Sequence, residues 1–162
     1  MPITHVTGDA TRPAGSDPRI IVHVCNDIGR WGAGFVVALS RRWREPEAAF
    51  RRWYRDRATS GFALGAVQLV AVEPTLWVAN LVGQHGVARA GVTPADGLPP
   101  VRYEAIRAGL ARVRDEARRR GASVHMPRIG CGLAGGRWET IEPIIDDELG
   151  QRGVAVTVYD LA

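Results

Sequence analysis

Twice in this sequence an apolar run ends in a cluster of glycines and a helical pattern follows. RIIVHVC at 19–25 leads into NDIGRWGAG and then FVVALSRRW, and SVHMPRI at 123–129 leads into GCGLAGGRW. A strand that runs through glycines into a helix brings unpaired N–H groups and the positive end of the helix to one edge of a sheet, where anions bind. Glycines at 29, 32, 34, 130, 132, 135 and 136 leave the main chain without Cβ atoms on its approach to a ligand. If the two strands are parallel neighbours, the loops face each other across a crevice at the carboxyl ends of the strands, a shape that suits a diphosphate flanked by two larger groups. Tight packing of two turns with no ligand is the competing explanation.

Further apolar runs bounded by glycine, proline or polar clusters occur at 3–7, 64–72, 76–82 and 153–159, for six expected strands in all. Between them Phe35, Leu39 and Trp43 recur at four-residue steps, and Tyr103, Ile106, Leu110, Val113 and Ala117 mark one face of a helix that ends at Gly121. A helix over about 138–149 would hold Pro143 in its first turn, where N–H groups have no intrahelical partner anyway. Strands and helices interleave. That order predicts an α/β domain with a largely parallel sheet covered on both faces, and Glu73-Pro74-Thr75 marks one antiparallel hairpin. GQHGVARAGVTPADGLPP at 83–100 leaves directly from a strand end and reads as a loop over a binding site, with a disordered surface excursion as the alternative.

The 162 residues, 46% of them hydrophobic, suffice for one domain with a single core. No apolar run approaches the roughly 20 residues of a membrane span. MPITHVTGDA lacks the layout of a secretion signal, so a cytoplasmic location and no membrane partner are expected. Cys25 and Cys131 have no CxxC partner, and neither a metal nor a cofactor is expected. All 21 basic residues are arginine, so Schiff-base chemistry and a catalytic ammonium are excluded. The net charge of +4 is tempered by 17 interspersed acids. One stretch stands out: RRWREPEAAFRRWYRDR at 41–57 interleaves seven arginines with Trp43, Phe50, Trp53 and Tyr54, a composition able to stack on bases and neutralise phosphates, though a solvated helix pair is the plainer reading.

Two other motifs share the second glycine loop. GCGLAG at 130–135 matches GxGxxG, with Asp160 closing the next strand, but only one strand follows it, whereas a dinucleotide fingerprint opens its fold. CGLAGGR at 131–137 satisfies the C-x5-R loop of cysteine-dependent phosphatases, with Asp96 as the imagined acid. Gly130 stands there where that family has histidine, and Trp138 where it has Ser or Thr.

Taken together, VTGDA at 6–10, VHVCNDIGRWGAG at 22–34, ANLVGQ at 79–84, MPRIGCGL at 126–133 with Trp138-Glu139, and TVYDL at 157–161 resemble a macrodomain, the ADP-ribose-binding fold, over nearly the whole chain. The branch they are most similar to contains terminal ADP-ribose glycohydrolases that free glutamate side chains, and ADP-ribose-1″-phosphate phosphatases. The resemblance implies a three-layer α/β/α sandwich with a mixed, largely parallel six-stranded sheet. It implies that Asp9, beside Ala10, accepts from the adenine amine. It further implies that Arg30, Trp31, Gly32, Ala33 and Gly34, and opposite them Ile129, Gly130, Cys131, Gly132, Leu133 and Ala134, wrap the diphosphate. Asn26 then faces the distal ribose, and the main chain from Tyr159 to Leu161 holds the adenosine end. Plainer roles stand beside these: Asp9 as a turn residue, Asn26 as a helix cap, Tyr159 as core.

The family's catalytic lysine and aspartate fall at Gln84 and Ala134, so a lysyl adduct is excluded and water must attack the anomeric carbon with other help. Candidates are Asp27 as base, Asn26 and Gln84 as polarisers and His85 as acid. The phosphatase members resemble this chain in a histidine at the position of His23. A strand rise of about 3.3 Å per residue nevertheless sets His23 roughly 10 Å back from Asn26, and a buried core histidine competes, as it does for His125. The expected activity is a monomeric ADP-ribosyl hydrolase acting on ADP-ribosylated protein, glutamate-linked first. A reader without turnover, an ADP-ribose-1″-phosphate phosphatase and a hydrolase of ADP-ribosylated nucleic acid are the alternatives.

Overall fold

The computed structural model describes residues 1–87 and 97–161. In chain order the elements are β1 (Thr4–Thr7), β2 (Arg19–Asn26), α1 (Phe35–Arg42), α2 (Glu45–Arg55), β3 (Val67–Glu73), β4 (Leu76–Gln84), α3 (Tyr103–Arg120), β5 (Ser123–Met126), α4 (Trp138–Glu148) and β6 (Val156–Asp160). They form one six-stranded sheet in the order β1-β6-β5-β2-β4-β3. All neighbouring pairs are parallel except β3 with β4, the hairpin expected at Glu73-Pro74-Thr75. β2 lies between β5 and β4, so the two strands that lead into glycine loops are parallel neighbours.

The period of two in β2 sorts its side chains to two cores. Ile20 and Val22 join Ala79, Leu81, Val124 and Met126 under Ile106, Leu110 and Val113 of α3 and Ile141 and Ile145 of α4. Ile21 and Cys25 join Leu76 and Val78 under Val36 and Leu39 of α1 and Phe50 of α2. Helices therefore cover both faces, which makes the three-layer sandwich, and a sheet buried on both sides explains why β2 and β4 are almost continuously apolar. Each fully buried Leu, Ile or Phe contributes about 1.5–3 kcal/mol. α3 stops where expected, at Gly121, whose φ of +61 gives a left-handed cap.

Several boundaries differ from the sequence reading. β5 ends at Met126 rather than 129, since Pro127 has no N–H to give the ladder. β3 begins at Val67 and β6 at Val156, both three residues later than expected. Pro143 is the sixth residue of α4, beyond its first turn, and so leaves the Glu139 carbonyl without its usual donor. The loop expected at 83–100 is shorter, because β4 runs on to Gln84 and Val101 bridges back to Gln84. Its middle, residues 88–96, lies outside the described residues, and Asp96 with it. Among the described residues no helix is long and apolar enough to cross a membrane.

Candidate ligand-binding crevice

Five parallel strands bring their carboxyl ends to one edge, and there the two glycine loops enclose a crevice of about 560 Å³. Its lining includes Asn26, Arg30 and Gly32 to Gly34 from the first loop, Ile129 to Ala134 from the second, and Gln84 and Val87 from the end of β4. The register between β2 and β4 shifts at Cys25/Asn26, a bulge after which Asn26 pairs with Gln84 at the strand end. Its Oδ1 accepts from the N–H groups of Ile28 at 3.1 Å and Arg30 at 3.0 Å, and its Nδ2 donates to the Arg30 carbonyl at 2.8 Å. Asn26 thus shapes the first loop through its own side chain. Trp31 anchors the same loop: its ring is buried, stacks edge-on to His23, and donates Nε1 to Ser40 Oγ at 2.8 Å.

The seven loop glycines divide in two. An added Cβ at Gly29 would meet the Tyr54 ring at 2.2 Å, and one at Gly136 would meet the Gly130 carbonyl oxygen at 2.2 Å. Gly130 and Gly135 are likewise filled from the protein side, by Ile141 and Pro99. At Gly32, Gly34 and Gly132 nothing lies within 4 Å. Those three face open space, and all three line the crevice. Among the described residues, the N–H groups of Gly32, Ala33, Cys131 and Gly132 have no protein acceptor. Bare amides converging from two sides, with Arg30 beside them and α1 opening at Phe35, form a cradle for a polyanion such as a pyrophosphate.

No family model matches the chain. It is 56% identical to a solved macrodomain protein from Streptomyces coelicolor, covering 98% of this chain and 99% of that one with a TM-score of 0.85. The chain belongs to the macrodomain family. This macrodomain is also 35% identical over 160 residues to ADP-ribose glycohydrolase OARD1 of Bos taurus, across 98% of its own length and 91% of that protein. It is 32% identical to the Chromodomain-helicase-DNA-binding protein 1-like of Mus musculus, and spans 17% of that relative's length.

In this macrodomain the expected site residues fall into distinct groups. Gln84 lines the crevice and donates Nε2 to the Gly86 carbonyl at 3.0 Å. The Asp27 side chain is only 17% exposed. Its Oδ2 meets His85 Nδ1 at 2.7 Å, its Oδ1 accepts from the Gly86 N–H at 2.8 Å, and its own N–H donates to the Gln84 carbonyl. Each carboxylate oxygen holds one partner, so Asp27 orients His85, whose ring is 57% exposed and, like Asp27, lies outside the residues that line the crevice.

His23 reaches the floor of the crevice but is a core histidine, with Nε2 held by Asn80 Oδ1 at 2.5 Å. Burial outweighs that hydrogen bond and lowers its pKa to about 4. His125 sits between Ser123 and Tyr159, and burial lowers it to about 4 as well. The Cys131 thiol is pushed up by burial, which deprives a phosphatase of its thiolate, and Cys131 heads a single 3₁₀ turn, Gly132–Ala134, rather than an α-helix.

Trp31 and His125 are also outside the lining, and Asp9, Ala10, Tyr159 and Leu161 stand outside it near the ends of β1 and β6 on the same sheet edge. Asp9 Oδ1 accepts from the Thr11 N–H and hydroxyl at 2.8 and 2.7 Å. Burial raises the Asp9 pKa, but these bonds and Arg12 outweigh it and leave the carboxyl below its ordinary value. Ala10 is buried, Leu161 is exposed, and the buried Tyr159 ring accepts the Ala14 N–H at its hydroxyl. Sequence reasoning missed Pro127 and Arg128, which line the crevice where β5 ends. Arg128 pairs with Asp160 at 2.6 Å, which lowers the Asp160 pKa, and lies 5.1 Å over the Trp138 ring. The cue available was the proline-arginine pair that ends the strand.

Proposed function

We propose that this macrodomain binds ADP-ribose in the crevice and hydrolyses it from modified macromolecules, glutamate-linked ADP-ribose first. The observation that carries the reading is the set of open glycines, Gly32 and Gly34 on one side and Gly132 on the other, with unpartnered amides facing one cavity. The glycohydrolase relative from Bos taurus, matched over almost its whole length, supports the choice of ligand and reaction.

The chemistry proceeds without lysine. A carboxylate at Asp27 can only accept, so the neutral His85 ring that acts in this mechanism has its hydrogen on Nδ1 and its lone pair on Nε2. That reverses the roles expected from sequence: His85 is the base and Asp27 positions it. Water attacks the anomeric carbon, a C–O bond forms, the bond to the glutamate oxygen breaks with its electron pair, and the proton of the water passes to Nε2. A carboxylate is a good leaving group and needs no acid, whereas Gln84 and the nearby amides hold the water and ribose.

A second reading, a reader without turnover, is favoured by one observation: among the described residues that line the crevice there is no carboxylate. Incubation with glutamate-ADP-ribosylated protein, ADP-ribose-1″-phosphate and ADP-ribosylated DNA separates the two. Release of ADP-ribose from the first, slowed at least about tenfold by His85→Ala with ADP-ribose affinity retained, is the expected result. Binding with every substrate left intact would establish the reader instead.

A further inference from the structure

The whole formal charge excess of the chain, +4, lies in residues 41–57, where seven arginines stand against three acids, and the rest of the sequence holds fourteen of each sign. The fold separates the two components of this stretch. Its aromatic rings turn inward: Phe50 is fully buried, Trp53 lies 4.9 Å from Phe62 and donates Nε1 to the Ser60 carbonyl, and Tyr54 lies 5.2 Å from Phe62. Phe50 holds α2 against the sheet, and the half-buried Trp53 and Tyr54 rings are engaged with Phe62. The arginines turn outward. Arg51, Arg52, Arg55 and Arg57 are all exposed. Arg51 is paired with Glu47 at 2.9 Å and Arg55 with Asp56 at 3.4 Å, and among the described residues Arg52 has no carboxylate partner.

This surface is continuous with the crevice. Arg57 lies 4.2 Å over the Tyr54 ring, and that ring occupies the space where Gly29 lacks a Cβ, one residue before the crevice-lining Arg30. Arg52 and Arg55 stand at i and i+3, so their Cβ atoms are about 5–6 Å apart. Both guanidinium groups can then bridge neighbouring phosphates of an extended strand with paired N–H donors.

We propose that the exposed arginines at the end of α2 and in the turn after it form a docking surface for the phosphodiester backbone of a nucleic acid. With Phe50 buried, Trp53 and Tyr54 packed on Phe62 and the Tyr54 ring covered by Arg57, the surface reads charge and not base identity.

The test uses an unmodified, fluorescein-labelled single-stranded oligodeoxynucleotide of about twelve residues, with anisotropy measured between about 50 and 200 mM salt. Three or four phosphate contacts give a slope of log affinity against log salt of about −2 to −3. Arg52→Glu with Arg55→Glu flattens that slope by about 1.4 and weakens binding at low salt at least about tenfold. Calorimetry shows unchanged ADP-ribose affinity for the variant, and oligo-dA and oligo-dT bind wild type alike. The proposal is overturned by a slope near zero, by an unaffected variant, or by polyglutamate competing as well as DNA, which would mark an acidic-protein surface. Salt-dependent oligonucleotide binding in a protein that takes up no ADP-ribose supports the surface and defeats the crevice reading alone.

Discussion

Gly132→Glu separates ligand binding from folding. Gly132 has a φ of +67 and an added Cβ would meet nothing within 4 Å, so the backbone alone resists the change, at about 1–2 kcal/mol. The new carboxylate occupies the place assigned to a phosphate. Two unit charges about 5 Å apart repel by about 3 kcal/mol at an effective dielectric of 20, and at 1.4 kcal/mol per decade this is a loss of at least about 100-fold in affinity. Gly136→Ala is the matched opposite. It adds one methyl group, but 2.2 Å from the Gly130 carbonyl oxygen, and its effect falls on stability at the upper end of the about 1–3 kcal/mol that overpacking costs. Calorimetry with ADP-ribose, alongside urea unfolding, reads both quantities. Gly132→Gln supplies the bulk without the charge and divides the loss between them. The reasoning is refuted if Gly132→Glu binds ADP-ribose like wild type, or if it unfolds as readily as Gly136→Ala.

Three further outcomes are expected. His23 and His125 have pKa values lowered to about 4 by burial from 6.5, so each is neutral in the fold and takes up a proton on unfolding. Their stabilisation is complete above the unfolded value and is lost as the pH falls towards 4, by about 2 kcal/mol each between pH 7 and 5; equal urea midpoints at both pH values would contradict this. Cys131→Ser, at a thiol whose pKa is raised, changes ADP-ribose affinity less than about twofold and abolishes no activity, whereas loss of turnover would revive the thiolate mechanism. Asn26→Ala removes three hydrogen bonds that shape the first loop, and at about 0.5–1.5 kcal/mol for each bond it lowers the melting temperature as well as ADP-ribose affinity; an affinity loss at an unchanged melting temperature would show a purely ligand-facing side chain.

The sheet was legible because its signals are local. Alternation and continuous apolar runs mark β2 and β4, and Glu73-Pro74-Thr75 marks the one antiparallel connection. The adjacency of β2 and β5 then put two glycine loops on one crevice. What the sequence could not divide was the glycines themselves. A missing Cβ at Gly29 serves the Tyr54 ring, which is 25 positions away, and a missing Cβ at Gly136 serves the Gly130 carbonyl across the same loop, whereas Gly32, Gly34 and Gly132 serve nothing within the protein. The same limit applies to the polar residues. Asn26, Asp27 and His23 carry functional side chains in type, yet their partners, Arg30, His85 and Asn80, are set by a bulge, a strand end and a neighbouring strand. Pre-organisation links the two groups. Asn26 fixes the turn and the packed glycines hold the loops close, so contacts within the protein set where the open glycines place their amides, and loops ordered in this way draw less binding energy. A cradle of this kind has no use for lysine, in keeping with a chain whose every cation is arginine.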